Sequence, residues 1–256
     1  MARSSYVNPW ITLPRPNPRA RLRLLCLPHA GGGAQMYRSW PADLPDAVEV
    51  CAVTLPGRES RIREEPPKNL ESLVGSLVES LADQLTRPFA IFGHSMGALI
   101  GFELIRMLRR QGLVQPVHLI ASGRSAPQIP DPDPPIHTLP RSEFVEELRR
   151  LNGMPNELLQ SPEVMGLVLP TLRKDFEVCE TYRYVSEPPL ACSITAYGGV
   201  EDPEVKRGDI ECWRMQTCST FVLRMFPGDH FFLQQNRSLF FESLGGDLDV
   251  IVRAHT

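Results

Sequence analysis

Short apolar segments rich in β-branched residues alternate along the chain with stretches that have helical periodicity. Two strands joined through a helix lie parallel in one sheet, because the crossover carries the chain back to the edge where it started. The six predicted strands are Leu22–Leu27, Val48–Leu55, Phe89–Phe92, Val117–Ser122, Ser193–Tyr197 and Phe221–Phe226. The sequence therefore predicts an α/β fold with a mostly parallel central sheet and flanking helices.

Two of the helical stretches have recognisable ends. The first follows Asn69, a residue type that caps helices, and its apolar side chains recur at steps of three and four: Leu70, Leu73, Val74, Leu77, Val78, Leu81 and Leu85. The second begins at the turn Ser95–Gly97 and stops at Gly112, a residue type that often ends helices. Both are expected to pack against the sheet.

Between about residues 128 and 189 the strand signals disappear, and a proline-rich segment leads into further helices. We expect one of these helices to open at Ser142 and a later one at Ser161, just before a proline that suits the first helical position. Pro170 lies inside the later pattern, so the sequence predicts a kink or break near Gly166–Leu169.

This interruption divides the chain into an α/β core, residues 1–127 and 190–256, and a helical insertion, residues 128–189. A bent helical insertion over a sheet is typical of a lid that opens and closes over a site. The alternative is a helical subdomain that only shields one edge of the sheet.

Composition excludes several classes of protein. The chain has 256 residues, of which 22% are charged and 42% hydrophobic, so it is neither disordered nor fibrous. The net charge is −3, which gives no overall field to attract nucleic acid or an anionic membrane. No apolar run is long enough to span a bilayer, and Met1 to Arg21 lacks the apolar stretch of a signal peptide. We expect a cytoplasmic protein.

One motif points to covalent chemistry. The predicted strand ending at Phe92 runs into Gly-His-Ser-Met-Gly at 93–97 and then into a helix. A tight strand-to-helix turn exposes the serine hydroxyl at the carboxyl end of the sheet, and the flanking glycines leave room for strained backbone. Ser95 is therefore a candidate nucleophile, whereas the same motif without this context usually marks only a turn.

A serine nucleophile needs a base, and the base needs a group that fixes its tautomer. His230 follows the last predicted strand, which places it at the same edge of the sheet as Ser95. Asp202 follows the preceding strand and is the preferred acid, with its neighbour Glu201 as competitor. The order serine, acid, histidine is that of α/β-hydrolases.

An oxyanion hole requires two backbone donors near the nucleophile. Met96 follows Ser95 directly, and the glycine-rich loop at 28–34 follows the first predicted strand, which makes the N–H groups of Met96 and Ala30 the candidates. The phosphate-binding glycine patterns are absent from the sequence, and its histidines and cysteines lack zinc spacing. We therefore expect no metal and no bound cofactor.

These motifs together resemble one family, the type II (editing) thioesterases of modular polyketide and nonribosomal peptide synthases. The resemblance rests on PHAGGGA at 28–34, LPGRESR at 55–61, GHSMGA at 93–98, LPTLRKDF at 169–176, GGVEDPEV at 198–205 and GDHFFL at 228–233. It implies an α/β-hydrolase core with a mobile helical lid, and hydrolysis of acyl thioesters on the phosphopantetheine arm of a carrier protein. It also implies the same triad, Ser95, Asp202 and His230, and the same oxyanion donors, Ala30 and Met96.

Carrier domains of this kind are usually acidic, so a basic docking rim is expected. Arg58 and Arg61 lie just past a predicted strand and are the candidates, with pairing to neighbouring glutamates as the alternative. Arg149 and Arg150 in the insertion are weaker candidates.

Three other functions remain compatible with this set of residues. A carboxylesterase or lipase would share all three triad positions and differ in the leaving group. A chain-terminating thioesterase would cyclise its product. An inactive hydrolase-fold scaffold typically lacks a member of the triad, and here none is missing.

Overall fold

A single sheet organises the structure, a computed structural model that describes residues 8–81, 85–151 and 161–255. The strands in these ranges are β1 (Ile11–Thr12), β2 (Leu22–Leu27), β3 (Val48–Val53), β4 (Phe89–His94), β5 (His118–Ser122), β6 (Ser193–Gly199) and β7 (Phe221–Phe226). Their order across the sheet is β1-β3-β2-β4-β5-β6-β7. Every neighbouring pair is parallel except β1 and β3, so the predicted α/β-hydrolase class is confirmed.

Each of the six predicted strands is present, and two of them have the predicted bounds. The sequence missed β1, because two residues are too short for an apolar pattern. This strand pairs antiparallel with the edge of the sheet, where Ile11 lies opposite Val53.

The α-helices in the same described ranges are α1 (Leu70–Leu81), α2 (Met96–Arg110), α3 (Arg141–Arg150), α4 (Pro162–Glu180), α5 (Arg207–Glu211), α6 (Phe232–Gln235) and α7 (Arg237–His255). Asn69 caps α1 as predicted, since its Oδ1 accepts a hydrogen bond of 2.9 Å from the N–H of Ser72. The stretch predicted to continue this helix to Leu85 passes through residues 82–84, which lie outside the described residues. Gly112 ends the α2 region with a φ of +65°, a conformation that glycine adopts without strain.

The sheet is covered on both faces. Along β2, Leu25 and Leu27 pack into one apolar cluster with α1 and α2, whereas Leu24 and Cys26 pack into a second cluster with α7. Strands buried on both faces read as continuous apolar runs, which is why their positions were predictable. The two layers hold the carboxyl ends of β2, β4, β5, β6 and β7 in fixed relation, and the candidate residues follow these ends.

The insertion contains α3 and α4 and has an apolar cluster of its own: Phe144, Leu148, Met165, Leu169 and Leu172. Residues 152–160 of the predicted insertion lie outside the described residues. The prediction of a helix start at Ser161 is confirmed, and α3 begins one residue before the predicted Ser142. Of the kink or break predicted near Gly166–Leu169, the break does not occur, because α4 continues through Pro170. The side chains of Leu169 and Leu172, on either side of the proline, pack into the cluster and favour the continuous helix.

Candidate active site

Ser95 occupies a strained turn between β4 and α2. Its φ is +52° and its ψ is −114°, a combination that non-glycine residues rarely adopt, and its N–H donates to the carbonyl of Ser122 at 2.7 Å. The turn is too tight for side chains on either side: a Cβ at Gly93 would lie 2.1 Å from the carbonyl oxygen of Gly97. These features are typical of a nucleophile elbow, in which backbone strain keeps the hydroxyl exposed.

His230 and Asp202 are in direct contact. The Nδ1 atom of His230 lies 2.8 Å from Oδ2 of Asp202, whose side chain is fully buried. The other carboxylate oxygen accepts the N–H groups of Glu204 and Val205 at 2.8 and 3.2 Å, so the loop after β6 fixes the orientation of the acid. The competing carboxylate, Glu201, belongs to an exposed residue. The contact therefore favours Asp202 over Glu201 as the partner of the imidazole.

Ser95 and His230 both lie against the end of β5. The carbonyl of Ser122 binds the Ser95 N–H, and a Cβ on the next residue, Gly123, would lie 3.4 Å from Cε1 of His230. Among the hydrogen bonds of the described residues, His230 pairs with Asp202 and none joins it to Ser95. Catalytic hydrogen bonds are often long or poorly aligned until substrate binds.

The candidate oxyanion donors lie where two backbone segments touch. Met96 is the first residue of α2, where N–H groups have no acceptor within the helix. Next to it, a Cβ on Gly97 would lie 2.1 Å from the carbonyl oxygen of Leu27, the last residue of β2. The glycine-rich loop that contains Ala30 starts there, so the start of α2 and this loop converge beside Ser95. The positive end of the α2 dipole adds to the attraction for developing negative charge.

Two further histidines, neither of which had a role predicted from the sequence, lie beside this site. His94 is completely buried, its Nδ1 lies 2.9 Å from Oγ of Ser122, and its ring is 5.1 Å from that of His230. Burial lowers the pKa of His94 well below its usual value, so its imidazole is neutral. His29 is 5.2 Å from the ring of Phe231, and burial lowers its pKa as well. The imidazole of His230 is therefore packed among uncharged rings.

Residues 22–247 match the family model of the thioesterase domain, a range that includes every candidate residue described above. The chain belongs to the thioesterase family. It is accordingly a thioester-cleaving hydrolase, as the resemblance implied.

Individual relatives of this thioesterase agree with the family match. It is 47% identical over 233 residues to the gramicidin S biosynthesis protein GrsT of Aneurinibacillus migulanus, with 91% of each chain covered. Its structure resembles RedJ, a thioesterase from the prodiginine biosynthetic pathway of Streptomyces coelicolor, with a TM-score of 0.83 and 38% identity over 89% of this chain and 85% of the other. It also resembles BorB, the type II thioesterase of the borrelidin biosynthetic cluster, with a TM-score of 0.85 and 35% identity over 97% and 100% of the two chains.

Arg58 and Arg61, the arginines predicted for the docking rim, do not form an exposed basic surface. Arg58 and Arg61 are buried, with 7% and 6% of their surface exposed. Arg61 lies over the ring of Trp10 at 3.8 Å and pairs with Glu64, as the alternative interpretation expected. Arg58 pairs with Asp175 on α4, a contact that no local spacing could predict. Guanidinium groups held in this way cannot present their charge to a partner.

In the described part of this thioesterase, no group of three or more His, Cys, Asp or Glu residues is arranged to hold a metal ion. Within the same residues, none of the helices combines the length and apolar character needed to cross a membrane.

Proposed function

We propose that this protein is a type II thioesterase that hydrolyses acyl groups from the phosphopantetheine arm of carrier proteins of a polyketide or nonribosomal peptide synthase. The observation that carries the proposal is the 2.8 Å contact of His230 with Asp202 beside the strained turn of Ser95, in a chain of the thioesterase family. The biosynthetic pathways of GrsT, RedJ and BorB supply the substrate class. The cytoplasm, where such carriers are loaded, is the proposed location.

The first half of the reaction forms an acyl-enzyme. The hydroxyl of Ser95 attacks the thioester carbonyl while Nε2 of His230 takes its proton, and Asp202 stabilises the imidazolium through Nδ1. The N–H groups of Ala30 and Met96 hold the oxyanion of the tetrahedral intermediate. The intermediate then collapses, the C–S bond breaks, and His230 returns the proton to the departing thiolate.

The second half repeats these roles with water. His230 takes a proton from water as its oxygen attacks the ester carbonyl of the acylated Ser95, and the same backbone donors hold the oxyanion. The C–O bond then breaks as His230 returns its proton to Oγ of Ser95, which releases the free acid and regenerates the serine hydroxyl. Neither half needs a metal or a prosthetic group, and the phosphopantetheine remains on the carrier. We assign the insertion, residues 128–189, as the lid that covers the acyl group during both steps.

Matched substrates test the proposal. We expect kcat/KM to be highest for an acyl group on a carrier protein, lower for the same acyl group on free pantetheine, and lowest for the corresponding oxygen ester. The order follows because the thiolate leaves more readily than an alkoxide and the carrier adds binding energy. A preference for the oxygen ester would instead identify a carboxylesterase on the same fold. Equal values for carrier and pantetheine would contradict the proposed partner.

A serine-directed fluorophosphonate separates an enzyme from a scaffold. We expect the probe to label the native protein and not Ser95→Ala, since only the activated hydroxyl attacks phosphorus. Folded protein that the probe does not label would favour a non-catalytic hydrolase fold.

A further inference from the structure

One carboxylate of the insertion reaches into the core. Asp175 lies on α4 and is only 4% exposed. Its Oδ2 accepts the N–H of Gly31 at 2.7 Å and Nη1 of Arg58 at 2.9 Å, and its Oδ1 accepts Nη2 of Arg58 at 2.7 Å. Arg58 also donates to the carbonyl of Gly32 at 2.8 Å. Both members of this ion pair therefore form hydrogen bonds with the backbone of the glycine-rich loop.

These contacts fix one peptide group next to a proposed oxyanion donor. The N–H of the Ala30–Gly31 peptide is bound by Asp175, and its carbonyl oxygen lies 2.8 Å from Nδ1 of His29. A neutral His29 donates from Nδ1 to that carbonyl oxygen. Because a peptide group is planar, hydrogen bonds at its two opposite edges fix the orientation of the whole plane. That plane begins at the Cα of Ala30, so it sets the direction of the Ala30 backbone.

The helix α4 is also packed tightly on the loop. Gly31 has a φ of +75°, and a Cβ there would lie 2.5 Å from Cδ2 of Leu172 on α4. A second attachment of α4 to the core does not involve this loop: Oγ1 of Thr171 donates to the carbonyl of Gly57 at 2.8 Å. The two attachments are one turn of helix apart, so one can be removed while the other stays.

We propose that Asp175 is a positioning residue for hydrolysis, which holds the oxyanion loop in its catalytic conformation while Arg58 holds the carboxylate. The seating of α4 on the core and the competence of the oxyanion hole are thereby coupled. The inference rests on the proposed function, since it gives Ala30 the role of a donor. A salt bridge that only attached the insertion would make no use of the bond to Gly31.

The test compares four variants in the full chain. Asp175→Leu removes the acceptor and keeps the branched shape of the side chain. Thr171→Val removes the hydrogen bond to Gly57, which does not involve the glycine-rich loop. In Asp175→Asn the side-chain amide oxygen is expected to accept from Arg58, so the amide nitrogen, which cannot accept a hydrogen bond, faces the N–H of Gly31. In the double variant Asp175→Asn with Arg58→Gln, the introduced glutamine oxygen can accept from that amide nitrogen. The double variant therefore frees the amide oxygen for the Gly31 N–H. For each protein, kcat, KM and Tm are measured with an acyl-pantetheine thioester, along with the rate of fluorophosphonate labelling.

We expect Asp175→Leu to lower kcat and the labelling rate by about tenfold or more with KM changed less than twofold, because misplacing a catalytic group by about 1 Å costs up to about 10²-fold. Thr171→Val should keep kcat within about twofold of the native value, since its effect is on the attachment alone. The double variant should recover much of the kcat lost in Asp175→Asn, even if Asp175→Leu fails to fold.

The positioning role would be overturned if Asp175→Leu and Thr171→Val had equal kcat values. It would also be overturned if the kcat of the double variant were no higher than that of Asp175→Asn. Losses that follow Tm alone would also overturn it, in favour of a purely structural ion pair. Failure of the proposed function has a different signature, namely native hydrolysis that persists in Ser95→Ala.

Discussion

The imidazole of His230 and the carboxylate of Asp202 are joined at 2.8 Å although they come from the loops after two different strands. Oδ2 of Asp202 accepts a hydrogen bond from Nδ1 of the ring, and Oδ1 accepts one from a backbone N–H of its own loop. This division of the two oxygens means that the acid is oriented before any substrate binds. It also means that the two oxygens can be tested separately.

Asp202→Asn should reduce kcat by about 10³- to 10⁴-fold with the fold intact. The amide oxygen keeps the bonds to the loop, but the amide nitrogen faces Nδ1 and favours the tautomer that carries its proton on Nε2. That tautomer cannot accept the proton of Ser95. Steady-state kinetics with an acyl-pantetheine thioester, together with Tm, measure the effect.

The matched control is Glu201→Gln, which removes the neighbouring exposed carboxylate. We expect its kcat to stay within about twofold of the native value, because Glu201 is exposed and the imidazole is already paired with Asp202. If Glu201→Gln lost activity while Asp202→Asn kept it, the assignment of the acid would be reversed.

Gly97→Ala should both destabilise the protein and reduce activity. The added Cβ would lie 2.1 Å from the backbone oxygen of Leu27, which cannot move away as a side chain does. We expect a loss of about 1–3 kcal/mol in the free energy of unfolding and a fall in kcat as Met96 is displaced. Denaturant titration and kinetics measure the two effects.

Gly75→Ala on α1 provides the comparison, since a Cβ there meets nothing within 4 Å. Alanine should raise the free energy of unfolding by about 0.5–1 kcal/mol through helix propensity and leave kcat unchanged. Equal effects of the two substitutions would show that the contact between α2 and β2 is not tight.

His118 should make the protein less stable in acid. Burial, the largest cause, lowers its pKa to about 4 against the opposing effect of Asp247. Between pH 6.5 and 4 the unfolded chain therefore binds a proton that the folded chain does not, so stability falls as pH falls. From pH 7 to pH 5 this contributes a loss of about 2 kcal/mol in the free energy of unfolding.

His118→Gln should remove that part of the pH dependence and keep a polar group near Oγ1 of Thr195, which lies 2.8 Å from Nε2 of the histidine. Urea titrations of both proteins at pH 7 and pH 5 give the comparison. An identical pH dependence in the two proteins would contradict the pKa assigned to His118.

Much of the fold and of the candidate site could be predicted from local sequence signals. The central strands were predictable because burial on both faces makes them largely apolar. The Asn69 cap and the Ser95 turn are set by neighbours within a few residues. The prediction of His230 and Asp202 needed one further rule, namely that the loops after parallel strands meet at one edge of the sheet. That rule predicted that the two residues lie near each other, and the structure shows the hydrogen bond between them.

Long-range contacts explain what the sequence could not predict. Arg58 was expected on the surface, yet its partner Asp175 lies 117 positions away on α4. Similarly, Pro170 was expected to kink or break α4, yet the helix does not break there, and packing of the insertion's own apolar cluster favours its continuity. Neither outcome depends on a spacing that can be read along the chain.

Trapping the acyl-enzyme tests the central claim most directly. An acyl-pantetheine thioester is mixed with the protein, the reaction is quenched within one turnover, and the modified peptide is identified by mass spectrometry. We predict an acyl group on the peptide that contains Ser95, and neither acylation nor turnover in Ser95→Ala. Hydrolysis that continues in Ser95→Ala, or an acyl group found only on another residue, would contradict the account.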